Sequence, residues 1–354
     1  MDSFRNIDEK ARKIHLSVSY YKHSRPLCQD ISEIKIKKLY KQVLQSAAVS
    51  AIIEKKKQLR LKTRQGEFIM KTSVTSYSFG GYFSPDKLGY LGIIDKAKEI
   101  GFDGIEYVDG GYMGEPDAAK KIKEHAAECG IEVVTFAVGA NFLQTDPAKL
   151  KDEVARVCRL VDFAAEAGAK LMRHDVAGGF HDGRKHSRGY DDAIAIVADP
   201  IREVTKYAEQ KGVKTMTENH GYFSQDAARV EKLINTVAHD NFGALVDLGN
   251  FMCADEDPSL SVSIMAPYAF HVHAKDFHYK SGMDVNPGAG WFQTRAGNYL
   301  RGAIIGHGEA KIYQSIQTLK RAGYDGYVTV EFEGMEDNLR GIELGLGNLK
   351  RFIG

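Results

Sequence analysis

Three short apolar runs of this chain end on an acid: Val213-Lys214-Thr215-Met216-Thr217-Glu218, Gly243-Ala244-Leu245-Val246-Asp247 and Tyr327-Val328-Thr329-Val330-Glu331. A fourth, Ala269-Phe270-His271-Val272-His273-Ala274-Lys275-Asp276, carries two histidines and ends on a Lys-Asp pair. Residues two apart on a strand share a face, so His271, His273 and Lys275 point the same way. Glu218, Asp247, His273 and Glu331 together make an oxygen and nitrogen ligand set for one divalent metal. Each has an ordinary reading when taken alone. Glu218 could cap a helix, and Asp247 could start a turn by bonding its own backbone. His273 could be a hydrogen-bonded core histidine, and Glu331 a loop acid. At the same ends of neighbouring strands, however, three acids and an imidazole form a self-repelling cluster that a divalent cation neutralises.

Those four ends need a scaffold. The joints Ile100-Gly101-Phe102, Cys129-Gly130-Ile131, Ala167-Gly168-Ala169, Lys211-Gly212-Val213 and Ala322-Gly323-Tyr324 repeat one device, a helix that stops on Gly and passes at once into a strand. Short helix-to-strand joints imply parallel βαβ units. Eight strands are expected: Ser73–Tyr77, Gly104–Tyr107, Glu132–Ala137, Lys170–Asp175, Lys214–Glu218, Gly243–Asp247, Ala269–Lys275 and Tyr327–Glu331. Helices are expected at Pro147–Ala167, Tyr190–Gln210, Asp226–Ala238 and Ala310–Arg321. The reading is an α/β chain: a single (β/α)8 TIM barrel over residues 71–354, preceded by a basic segment that is not a domain. A doubly wound open sheet is the alternative, but no GxGxxG follows the first strand. Two long loops, Gly178–Asp191 and His278–Gly308, follow strands four and seven on the face where barrel active sites are built. Trp291 and Phe292 suggest that the second packs down as a lid.

The totals fit this division. The 354 residues are 43% hydrophobic and 27% charged, with a formal net charge of +1. Residues 1–70 hold 16 Lys and Arg against 7 Asp and Glu, a net +9, and the rest of the chain carries 32 against 40, a net −8. The stretch Lys35–Lys62 could be a basic amphipathic helix. Gln65–Met70 can also be encoded by codons that place a bacterial ribosome-binding sequence just before an ATG. Met70 is therefore expected to be the natural start, with residues 1–69 as translated upstream sequence. Cys28, Cys129, Cys158 and Cys253 form no CxxC pair and no disulfide framework. There is no secretory signal and no apolar run long enough to span a bilayer. A cytoplasmic setting is expected.

From Lys71 to Gly354 the chain resembles the sugar phosphate isomerase/epimerase, or xylose isomerase-like, TIM barrels. The resemblance rests on Glu218-Asn219-His220, Val246-Asp247-Leu248-Gly249-Asn250, the His271–Asp276 run, Gly306-His307-Gly308-Glu309 and Val330-Glu331-Phe332-Glu333-Gly334. It implies metal ligation by Glu218, Asp247, His273 and Glu331, with Glu333 as the alternative to Glu331 on the same strand face. Mn²⁺ is the expected ion, with Mg²⁺, Co²⁺ or Zn²⁺ as alternatives. It also implies that Glu218 and Glu331 are the catalytic pair. The small-molecule substrate would be a ketose or related sugar, and the protein a homo-oligomer.

Isomerising or epimerising a ketose requires removal of a proton next to a carbonyl. A metal can stabilise the enediolate oxygen, and a carboxylate on each face can remove and return the proton. His220, His174, Arg173, Lys275, Arg295 and Arg301 are candidates for sugar hydroxyls or a phosphate. His174 and Arg173 adjoin on one strand, so only one of them points inward. The second functional reading is a lyase on the same scaffold, an inosose-type dehydratase or a 3-oxo-glycoside β-eliminating enzyme. Two positions depart from the pattern of relatives: Asn250 stands where several have His, and Tyr279 where several have a substrate-contacting Arg. Strands two and three offer no histidines and the barrel portion is acidic, so nucleic acid is an unsuitable substrate. No membrane partner is expected.

Overall fold

The computed structural model describes residues 70–180 and 188–354. The expectations for residues 1–69, and those for positions 181–187 of the first long loop, lie outside the described residues.

Eight parallel strands close into a barrel. They are β1 (Lys71–Thr75), β2 (Gly104–Val108), β3 (Glu132–Val138), β4 (Leu171–His174), β5 (Lys214–Glu218), β6 (Phe242–Asp247), β7 (Ala269–Ala274) and, after an excursion, β11 (Tyr327–Val330), which pairs with both β7 and β1. The excursion supplies β8 (Asp276–Lys280), β9 (Phe292–Gln293) and β10 (Tyr299–Ala303). The helices are α1 (Gly89–Ile100), α2 (Ala118–Cys129), α3 (Pro147–Glu166), α4 (Tyr190–Gln210), α5 (Ala227–Val237), the short α6 (Asn250–Cys253), α7 (Pro258–Met265), α8 (Ile312–Ala322) and α9 (Asn338–Ile353). The five joint glycines, Gly101, Gly130, Gly168, Gly212 and Gly323, all take positive φ, the left-handed turn that hands a helix on to the next strand. Helix starts are equally local. Asp146 and Asp257 each accept a following backbone N–H, and proline fills the first turn in both cases.

Strand residues facing outward meet the helices in a continuous apolar layer. Val272, Val328, Val330 and Val246 from the strands and Val230, Leu233, Ile316 and Leu349 from the helices are fully buried there. Each such side chain contributes about 1.5–3 kcal/mol of transfer free energy.

Two expected strand bounds are corrected. Strand one starts at Lys71 rather than Ser73, and Ser76–Phe83 forms 3-10 turns. Strand seven stops at Ala274, and Lys275 is the corner before β8. The long segment after it carries structure of its own, with β8, β10 and β9 forming an antiparallel sheet. That sheet is rooted by Asp276, whose carboxylate accepts the backbone N–H groups of Gly306, Gly308 and Ala310 at 2.8–3.0 Å. A Cβ on Gly308 would lie 2.3 Å from Asp276 Oδ1, so only glycine allows this approach. Phe292 packs edge-on against Phe277, and Trp291 lies under the Arg301 guanidinium. Among the described residues no helix is long and apolar enough to cross a membrane.

Candidate metal centre

Period-two alternation turns the ends of β5, β6 and β7, and the residue just after β11, into the barrel mouth. Donor atoms of Glu218, Asp247, His273 and Glu331 lie within 4.8 Å of one another there. Each is held by the element that delivers it. Asp247 Oδ1 accepts the N–H groups of Gly249 and Asn250, both at 2.8 Å, where α6 begins. Asn219 clamps the Asp247 backbone by two reciprocal bonds of 2.9 Å. Asn250 Nδ2 donates to Glu218 Oε1 at 2.9 Å, and Arg173 Nε lies 2.8 Å from Glu218 Oε2. Lys275 Nζ reaches Glu331 Oε2 at 3.0 Å, Glu333 Oε1 at 3.3 Å and Asn250 Oδ1 at 3.3 Å.

The electrostatics follow from burial and from those neighbours. Burial disfavours charge on Lys275, but Glu331, Asp247 and Glu333 outweigh it and hold the ammonium well above its ordinary range. Burial likewise works against Glu331 as an anion, yet Lys275 and His273 hold its carboxyl well below the usual value. Asp247 is the member left over. Burial, with Glu331 and Glu218 adding to it against Lys275, pushes its carboxyl up to about 7.

The donor set fits a divalent cation. Three carboxylates and an imidazole are the ligands of a hard or borderline ion. Asp247 Oδ2 is buried at the cluster and makes no hydrogen bond, so a ligand oxygen there has a free lone pair.

One member of the site is absent from the sequence-based set. Glu106, in the middle of β2, is fully buried, and its Oε2 lies 2.9 Å from His273 Nε2. The opposite ring nitrogen, Nδ1, faces Glu331 at 2.9 Å and Asp247 at 3.9 Å. A carboxylate can only accept, so Glu106 holds the Nε2 proton and leaves Nδ1 aimed into the cluster. No local signal marks it, since Glu106 lies mid-strand with Tyr107 and Val108 following. Burial works against the His273 imidazolium, but Glu106 and Glu331 hold it well above the ordinary value. His271 lies one layer deeper. Its Nε2 is 2.6 Å from Thr329 Oγ1, which is 2.6 Å from Ser73 Oγ. It faces inward as expected and stays outside the four-ligand cluster.

The remaining candidates divide. Arg173 points inward and joins Glu218 to Asp175, to which its Nη2 donates at 2.7 Å. Asp175 also lies 3.1 Å from His220 Nδ1. Burial opposes the His220 imidazolium, and Asp175 and Glu218 together outweigh it to raise its pKa. Lys275 is within the cluster. His174 is not. It faces the outer layer with its ring between Phe142 and Phe242, because its strand neighbour Arg173 takes the inward side. Arg295 is tied to Asp226 at 3.0 Å and to the Tyr222 carbonyl, and Arg301 stacks on Trp291. Both brace the loops instead of entering the cluster. Tyr77, half exposed, is a further addition from the structure. Glu333, together with partial burial, raises its phenol pKa, and Glu331 adds to this against Lys275.

A family model for the xylose isomerase-like TIM barrel matches residues 94–352. The chain belongs to that family. Among solved structures of this fold, D-psicose 3-epimerase from Clostridium cellulolyticum is similar at TM-score 0.63 and 17% identity, covering 80% of this chain and 99% of that one. The probable 3-DHS dehydratase involved in petrobactin synthesis from Bacillus anthracis is similar at TM-score 0.61 and 17% identity, covering 79% and 99%. A xylose isomerase-like TIM barrel protein from Mycobacterium smegmatis, solved in complex with magnesium, is similar at TM-score 0.58 and 19% identity, covering 80% and 98%. No curated protein matches the chain in sequence. Family and neighbours are mostly enzymes, and the buried acid–histidine cluster at the barrel mouth is suited to a divalent metal.

Proposed function

We propose that the protein is a divalent-metal-dependent isomerase or epimerase of a ketose or related sugar. The observation that carries this reading is the pairing of Glu218 and Glu331 across one cluster whose donor atoms lie within 4.8 Å of each other. A cation held by Glu218, Asp247, His273 and Glu331, Mn²⁺ being the first choice, would supply Lewis-acid polarisation of a substrate carbonyl. The chain supplies the rest. Glu218 and Glu331 approach from β5 and from the end of β11, so one carboxylate can take the proton next to the carbonyl and the other can return one from the opposite face. Arg173 and Asn250 hold Glu218 in place, and Lys275 holds Glu331. Lys275 and His220 present the donors that sugar hydroxyls accept.

A lyase reaction on the same scaffold begins with the same proton abstraction and differs in whether a leaving group departs. An epimerase and a probable dehydratase are similar to the chain to nearly the same degree, so the outcome is left to the chemistry of the substrate. The test is solvent exchange. Metal-loaded protein is incubated in D₂O with a panel of ketoses and 3-oxo-glycosides, and carbon-bound protons are followed by NMR. Exchange with an epimer or aldose appearing supports the isomerase reading, and an unsaturated product moves the assignment to a lyase. No exchange by the wild type, or exchange undiminished in Glu218→Gln and Glu331→Gln, overturns the proton-transfer roles.

A further inference from the structure

A second cluster of metal-competent side chains lies on the outer surface of the barrel, away from the mouth. Asp95 on α1 and His125 and Cys129 on α2 bring their donor atoms within 4.8 Å of one another. His125 and Cys129 are one helical turn apart and share a face, while Asp95 comes from the adjacent helix. The arrangement is not that of a nucleophile relay. A relay uses the two imidazole nitrogens separately, one for the thiol and one for the acid. Here Nε2 of His125 serves both, lying 3.0 Å from Asp95 Oδ2 and 3.8 Å from Cys129 Sγ, while Nδ1 is 3.8 Å from Glu128 Oε2, beyond hydrogen-bond reach. The thiol in turn donates to the other Asp95 oxygen at 3.3 Å. Three donors thus converge on one point.

The spacings suit a small tetrahedral ion. A tetrahedral zinc with bonds of ~2.0–2.3 Å has ligand-to-ligand edges of ~3.3–3.8 Å. The His125–Asp95 and His125–Cys129 separations, 3.0 and 3.8 Å, are near such edges, and one donor atom from each of the three residues lies within 4.8 Å of the others, so a small side-chain adjustment forms the face. Sulfur, imidazole and carboxylate together favour zinc over magnesium or manganese, in contrast to the all-acid-and-imidazole set at the mouth.

We propose that Asp95, His125 and Cys129 form a second metal site, specific for zinc or a similarly thiophilic divalent ion, that cross-links α1 to α2 and leaves its fourth position open to solvent. Binding replaces the thiol proton, which leaves to solvent as the metal–sulfur bond forms. The side chain of His125 is about one-quarter exposed and that of Asp95 more than half, so the ion has an open path in. The inference is independent of the chemistry assigned to the barrel mouth.

The experiment is cobalt substitution of the full chain. Co²⁺ bound by a thiolate gives an intense sulfur-to-metal charge-transfer band in the near ultraviolet, which the thiol-free ligand set at the mouth does not produce. The wild type should show the band and take up a second equivalent of Zn²⁺ that competes it away. Cys129→Ser should abolish the band while retaining one equivalent of metal, and Asp95→Asn, at an exposed position that tolerates the change, should weaken it. Glu218→Gln and the serine variants of Cys28, Cys158 and Cys253 should keep it. A wild type without the band at saturating Co²⁺, or a band that survives Cys129→Ser, overturns the proposal.

Discussion

His174 and His273 are both buried, sit on barrel strands, and titrate in opposite directions. His174 faces the outer layer between two phenylalanines, and burial pushes its pKa down to about 4. His273 faces the interior between Glu106 and Glu331, which hold it well above the ordinary value. The difference is not depth but company. The outer layer removes charge and gains from packing. The interior concentrates charge and stays folded because each charge has a partner, a balance that a buried ion pair tips only weakly either way. Stability therefore belongs mainly to the outer layer and chemistry to the inner one.

The sharpest way to break that division is Lys275→Met. Deprived of the ammonium, the buried acids should destabilise the metal-free protein by about 3–5 kcal/mol, and saturating Mn²⁺ should restore most of the loss. Urea unfolding with and without metal reads both. Leu233→Ala in the outer layer should cost about 2–5 kcal/mol, and metal should add no more to it than to the wild type. Equal rescue of the two variants would erase the distinction.

The pH dependence of stability sharpens the comparison. His174 has a folded pKa below its unfolded value of 6.5, so its neutral form is favoured by folding. Its contribution is complete above 6.5 and lost as pH falls through about 4. The loss amounts to about 3 kcal/mol. His174→Gln should flatten this part of the acid-unfolding curve, measured as the slope of the urea midpoint between pH 7 and pH 4. The smallest effect is expected at Glu106→Gln. Its removal from His273 Nε2 should weaken metal affinity about 10–100-fold, read by calorimetry, with little change in the unfolding midpoint without metal. An unchanged affinity would reduce Glu106 to packing.

The barrel was legible in the sequence because its signals are local. Each Gly joint sets its own left-handed turn, and each apolar run with an acid at its end marks a strand leading to the mouth. Glu218, Asp247 and Glu331 could be singled out for that reason, and His273 by its alternation with His271 and Lys275. Other features are products of tertiary contact. Glu106 matters only because closure of β2 next to β1 brings it within reach of His273 on β7. The inward choice between Arg173 and His174 depends on register, which one residue of slippage would reverse. Arg295 and Arg301 had the charge of ligand-binding residues, but the β8–β10–β9 sheet, invisible in a glycine-rich segment, gave them partners elsewhere.

The hold of Asp276 on Gly306, Gly308 and Ala310 separates the base of the excursion from its tip. Met283 and Val285, near the tip, are 97% and 89% exposed. New residues can therefore be spliced in between β8 and β9 without being felt by the barrel, each doubling of that connection costing only about 0.6 kcal/mol. The connection between β8 and β9 offers a natural point for attaching a reporter, a tether or a second protein.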